Sequence, residues 1–309
     1  MRFQSIQVLR ALAVTMVVVF HFTSIEVLQA GVDLFFVISG FIMAHAMPDK
    51  TPASFLRARF HRIVPTYYAA TALALTLLIF LPGRPLEWQR LIDSLLLTPN
   101  APHYLPQAWT LIYELVFYTG CALYMVVGKR ALLALPAAWL LAHFVTNGYV
   151  GIAASGLFLE FLLGVGIAKL PQKGGKTALM LSVACFAILS LTGVASLGPA
   201  TIVINPLGFE RLIEWGMPAA LLLHGALCHE RQLSRWRIPI LFGNASYSIY
   251  LTHWAFIAFL EPGLWLLDTY TAMLFGLTFY FLVERPLTRL RLQLPLGWRR
   301  RLLPATDEA

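Results

Sequence analysis

The chain has 309 residues, 59% hydrophobic and only 12% charged, with a mean hydropathy of +0.72. Soluble domains carry about 25% charged residues, so this composition excludes a string of ordinary soluble domains. Its apolar runs do not alternate with polar residues, which excludes an outer-membrane barrel.

The net charge of +8 reads as membrane-loop charge rather than a nucleic-acid footprint. Cys121, Cys185 and Cys228 lie in separate apolar runs and suggest neither a disulfide framework nor a metal site. The expected fold is all-α, a polytopic membrane bundle of about ten transmembrane helices. It forms one domain over 1–290, followed by a basic tail over 291–309.

In chain order, the first expected span is 6–23. Arg10 interrupts it, no small-residue cleavage site follows, and a second span comes directly after, so it is not read as a cleaved signal. The remaining spans are 29–46, 64–81, 109–127, 131–146, 149–169, 178–197, 212–228, 239–259 and 264–283. In the loop 47–63, FLRARFHRI sets Phe55, Leu56, Phe60 and Ile63 against Arg57, Arg59 and Arg62, a pattern for a short interfacial helix. The longest loop, 82–108, is proline-rich and carries Trp88 and Tyr104.

With these spans and a cytoplasmic N-terminus, 20 of the 23 Lys and Arg residues fall on the cytoplasmic side. Only Arg84, Arg90 and Arg211 fall outside, and the C-terminus is cytoplasmic as well.

Polar groups inside such spans need a reason to be there. Arg10 and His21 are eleven residues apart. That is close to three turns, so they share one side of the helix about 16 Å apart. On this topology Asp33 (in GVDLFFVISGF), Glu114 (in WTLIYELVFY) and His253 (in GNASYSIYLTHW) lie in the outer half with His21. Glu284 lies level with Arg10, where a buried ion pair is expected.

His21 with Glu114 is the pair expected to be functional, because a carboxylate beside an imidazole orients it and raises its basicity. Asp33 either anchors its span or joins that catalytic group. His253 either is a structural histidine held by Tyr and Trp neighbours or contacts substrate. Glu160 lies deeper, where pairing to another helix accounts for it. LPQKGGKT lacks the leading glycine of a phosphate loop, having Leu170 there, and no His-Glu-x-x-His exists, so no metal is expected.

Taken together, SIQVLRALA, VDLFFVISGFIM, the Arg59-x-x-Arg62 pair, WTLIYELVFY and NASYSIYLTHW occur in order over residues 5 to about 286. The chain so resembles the membrane acyltransferase-3 family, and its opening is most similar to members that O-acetylate exopolysaccharides and Nod-factor sugars. The resemblance implies transfer of an acyl group, commonly acetyl, from cytoplasmic acyl-CoA to a hydroxyl of an extracytoplasmic or lipid-linked glycan. It also implies a multi-pass location in a bacterial-type inner membrane.

The family's Arg-x10-His signature falls on Arg10 and His21, and its paired basic residues on Arg59 and Arg62. Arg10, Arg59 and Arg62 are then expected to hold the CoA phosphates. His21, with Glu114 and Asp33, forms the catalytic group, with His21 as general base. A covalent acyl intermediate on histidine or Ser39 stays open beside direct transfer. Trp109, Tyr113, Ser39, Tyr247, Tyr250 and His253 are the candidate substrate-binding residues. The competing reading is a proton-coupled transporter or exporter of a lipid-linked glycan, but no internal repeat supports it.

Overall fold

Lipid offers no hydrogen bonds to the backbone, so long apolar runs must close their own, and the helix does so within one segment. A computed structural model describes residues 3–79, 86–128, 152, 155–192, 209–257 and 263–293. All regular structure among them is helical.

Helix α1 is Gln4–Thr23, α2 is Ala30–Ala46, α3 is Pro52–Ile79, α4 is Trp88–Leu96 and α5 is Trp109–Val127. They are followed by α6, Gly156–Ile167, and α7, Gly175–Thr192. A helical turn Phe209–Arg211 and a π turn Leu212–Gly216 lead into α8, Met217–Cys228. Then come α9, Arg237–Ile257, and α10, Trp265–Phe279. A second π turn, Tyr280–Glu284, leads into α11, Arg285–Gln293.

Among the described residues five segments are long and apolar enough to cross a membrane: Gln4–Thr23, Glu26–Ala46, Pro106–Val127, Gly175–Thr192 and Trp265–Arg289. Gly156–Ile167 and Leu212–Cys228 are apolar but shorter. The expected span 131–146 and the tail beyond residue 293 lie outside the described residues. Along α7 the large apolar side chains Met180, Val183, Ile188 and Leu191 face outward, as side chains meeting lipid do.

Two local expectations change. FLRARFHRI is not a separate helix. It forms the first turns of α3, which runs on through Pro65 because no glycine or turn residue stands between Arg62 and the span. The loop 82–108 holds a helix of its own, α4. Trp88, Ile92, Leu95 and Leu96 form its exposed apolar stripe, at helical spacing. Asp93 and Ser94 turn inward. Tyr67 and Tyr68 of α3 donate to the Ser94 and Leu95 carbonyls at 2.7 and 2.8 Å, and Leu97 ends the helix in the left-handed region at φ 52°.

The start of α1 has no cap from its own sequence. Glu230, just past α8, supplies one. It accepts the Gln4 N–H at 2.7 Å, the Ser5 N–H at 3.0 Å and the Ser5 hydroxyl. A carboxylate at this end satisfies orphan donors and complements the helix dipole.

Helices α2 and α6 touch backbone to backbone. A Cβ on Gly40 would stand 1.9 Å from the Phe161 carbonyl oxygen, and one on Gly164 would stand 1.9 Å from that of Val37. Small residues permit such contacts between helices in lipid. Gly164→Val is therefore expected to force α2 and α6 apart and destabilise by about 1–3 kcal/mol. Thermal unfolding in detergent reads this, with Gly166→Val as the control, since a Cβ there meets nothing within 4 Å.

Candidate active site

Helices α1, α2, α3, α5 and α9 enclose a cavity of about 780 Å³, counting the open space at its mouth. The α2 wall is one broad helix face, Val32, Phe35, Phe36, Ile38, Ser39, Ile42 and Met43. Arg10 enters from α1, and Arg59 and Arg62 enter from α3, three residues apart and thus neighbours on its surface. Arg62 is exposed, which marks the open end. Glu114 and Tyr118 from α5 and Tyr247 from α9 carry the wall inward to Thr110 and Tyr250. The expected CoA-binding arginines and three of the expected substrate contacts, Ser39, Tyr247 and Tyr250, thus come together.

Glu114 is not where the sequence placed it. It accepts from the Ser39 hydroxyl at 3.2 Å and from the Tyr118 hydroxyl, not from His21. The reason is the entry of α5. The 3-10 turn Pro106–Ala108 is buried, and Gln107 donates to the Leu251 carbonyl at 2.7 Å. The Thr110 and Tyr250 hydroxyls meet at 2.8 Å. So α5 begins inside the bundle, level with Tyr250, and Glu114 lies a turn further in. Its partner Ser39 is about 9 Å along α2 from Asp33. Glu114 therefore faces Arg10 electrostatically instead of the imidazole.

Asp33, unlike Glu114, is not part of the cavity. One residue along from Val32, it points off that face of α2 and is fully buried. There it meets Arg211 in a two-pronged ion pair, Nε to Oδ1 at 2.8 Å and Nη2 to Oδ2 at 2.7 Å. The Arg211 guanidinium lies 4.4 Å from the centre of the Trp215 ring, and buried Glu160 lies beside the pair. Asp33 thus ties α2 to the turn that leads into α8. Glu160 sits with groups of other helices, as expected. Arg10 and Glu284 interact through space but form no contact ion pair; Glu284 takes the Ser248 hydroxyl at 2.5 Å instead.

His21 and His253 come together beyond the inner end of the cavity. Nδ1 of His21 lies 2.8 Å from the Val17 carbonyl oxygen, and Nδ1 of His253 lies 2.7 Å from that of Tyr250. A carbonyl only accepts, so each Nδ1 carries the hydrogen and each Nε2 keeps its lone pair. The two ring centres are 4.9 Å apart, and Trp254 closes on His21 at 5.2 Å. His21 is partly exposed, whereas His253 is fully buried.

The cavity wall stops at Tyr250, whose ring centre is 5.8 Å from that of His253. His21, His253, Trp109 and Tyr113 are not among the lining residues. Trp109 and Tyr113 instead pack on Phe36 from behind the wall, with ring centres at 6.4 and 5.9 Å. Among the described residues no group of three or more His, Cys, Asp or Glu side chains converges as a metal site.

Two residues escaped the sequence reading. Tyr118 stands four residues from Glu114 on one helix face, a spacing that could have shown it. Arg211 broke the loop-charge rule, and that exception was the signal.

Among the described residues, a helical bundle of apolar segments thus surrounds an arginine-lined cavity that ends against a histidine pair. A family model described as an acyltransferase domain matches residues 3–283, and the chain belongs to this family, acyltransferase 3. It is similar to the exopolysaccharide production protein ExoZ of Rhizobium meliloti (strain 1021), with 32% identity over 303 residues, 87% of this chain and 91% of the relative. It is also similar to protein 2 in the picA locus of Rhizobium radiobacter, with 36% identity over 130 residues, 33% of this chain and 66% of that protein. No solved structure matches.

Proposed function

We propose that the protein is an integral membrane O-acyltransferase. It moves an acyl group, acetyl in the first instance, from acyl-CoA to a hydroxyl of an exopolysaccharide or its lipid-linked repeat unit. Membership of the family supports the reaction class, and the relative named for exopolysaccharide production supports the glycan acceptor. The observation that carries the donor assignment is the cavity with Arg10, Arg59 and Arg62 at one end. Guanidinium groups bind phosphate through paired, charge-assisted hydrogen bonds.

On this reading the arginine end faces the cytoplasm of a bacterial cell and the His21 end faces outward. The nucleotide sits at the arginines and the pantetheine arm passes Ser39 and Tyr118 to Tyr250. The Arg10-to-His21 rise of about 16 Å suits that arm. The acceptor reaches the partly exposed His21 from the other side. Nε2 of His21 takes the hydroxyl proton as the oxygen attacks the thioester carbonyl. The C–O bond forms, the C–S bond breaks, and the proton passes to the leaving thiolate. Glu114 balances the arginines and fixes the Ser39 and Tyr118 hydroxyls along the donor arm. Asp33 takes no part.

The test uses inverted membrane vesicles given labelled acetyl-CoA, with label measured in extracted glycan. Wild-type protein is expected to label the glycan. Arg59→Ala combined with Arg62→Ala is expected to raise the half-saturating acetyl-CoA concentration at least about tenfold, since each lost hydrogen bond to a charged group is worth about 1.5–3 kcal/mol. Glycan left unlabelled by wild-type vesicles would sink the assignment.

A further inference from the structure

The fully buried His253 ring has an unmet need. Its Nδ1–H is spent on the Tyr250 carbonyl at 2.7 Å, and its Nε2 has no hydrogen-bond partner among the described residues. A buried acceptor left unpaired is destabilising, so a fold that keeps one against a reactive group gains from it at another moment.

The nearest polar ring is His21, at 4.9 Å between centres. In the resting arrangement His21 offers nothing to that lone pair, because its only hydrogen goes to Val17. The reaction proposed above changes this. Once the acceptor hydroxyl gives its proton to Nε2 of His21, that ring carries a positive charge and a second N–H. The other described rings around His21 are Phe20 of its own helix and Trp254 of α9, neither of which is charged. No described carboxylate contacts it.

Resting on that reading, we propose that His253 is a positioning residue for the transfer: the unpaired Nε2, the negative end of its ring dipole, supports the positive charge that His21 carries, while the new Nε2–H of His21 stays with the acceptor and sulfur. It fills the role that the sequence assigned to Glu114. The proton still runs from acceptor oxygen through His21 to sulfur, and His253 neither gains nor loses one.

Three substitutions separate this role from packing. His253→Asn keeps an N–H for the Tyr250 carbonyl but has no atom at the Nε2 position. His253→Gln places an amide oxygen there. His253→Phe keeps the ring and loses both nitrogens. In the labelled acetyl-CoA assay, Asn and Phe are expected to lower kcat about tenfold or more, about 1.4 kcal/mol of lost transition-state support, with KM for acetyl-CoA nearly unchanged. Gln is expected to recover most of the loss.

With Asn, the acid limb of the pH–rate profile is expected to move to lower pH, because a less supported imidazolium gives up its proton more readily. Full activity of the Asn variant, an unmoved acid limb, or a Gln variant as poor as Asn would each overturn the proposal. If Phe does not fold, the Asn and Gln pair decides alone. Loss of labelling by wild-type protein, or full activity of His21→Ala, would instead defeat the underlying acyltransferase reading.

Discussion

His21→Ala is expected to lower acyl transfer at saturating acetyl-CoA by about 10²–10⁴-fold, the contribution of a positioned general base. The protein should stay folded. The His21 ring is partly exposed, its one described hydrogen bond runs to a carbonyl of its own helix, and alanine is the best helix former. The donor site should also survive, because Arg10, Arg59 and Arg62 are remote from the ring. Binding of acetyl-CoA, read as an upward shift in the thermal midpoint, should therefore match wild type while glycan labelling disappears. Labelling at the wild-type rate would remove His21 from the chemistry. Loss of both binding and labelling would mean that the ring props up the donor cavity instead.

The second large effect concerns stability. Arg211→Leu removes the only described contact cation for Asp33 and leaves two carboxyl groups, Asp33 and Glu160, in a fully buried place. Breaking a buried pair from one side is destabilising by about 3–5 kcal/mol. The loss includes the stacking of the guanidinium on Trp215 at 4.4 Å. Chemical unfolding in detergent reads the effect. Arg211→Leu combined with Asp33→Leu should recover part of it, since the stranded charge goes with its partner. An Arg211→Leu protein as stable as wild type would show that the junction carries no weight.

Much of this architecture was legible in advance, for physical reasons that also mark where legibility ended. Hydrophobic runs of span length located α1, α2, α5, α7 and α10, because lipid leaves an apolar segment little choice but the helix. The family was readable from motifs kept in order. Arg10 was marked by its eleven-residue spacing to His21, a matter of helix periodicity, whereas Arg59, Arg62 and Ser39 rested on the resemblance to the family. Depth was harder. Counting residues from an assumed membrane edge put Glu114 beside His21, but the edge is not where α5 starts: Gln107 pulls that start into the bundle. Asp33 shows the complementary limit. Its helix face is fixed by sequence, yet its partner lies 178 residues away. The amphipathic helix α4 was visible in the spacing of Trp88, Ile92, Leu95 and Leu96, but the prolines on either side of it drew attention to loop.

The seal on α1 has a consequence for biogenesis. Glu230 lies 226 residues beyond Gln4. At ribosomal rates of about 5–20 residues per second, the first helix to leave the ribosome waits roughly 10–45 s for the carboxylate that closes its beginning. Until then nothing from Glu230 sets how far α1 slides along its axis, and with it the heights of Arg10 and His21. A nascent chain halted short of this residue would hold both signature side chains without fixing their level.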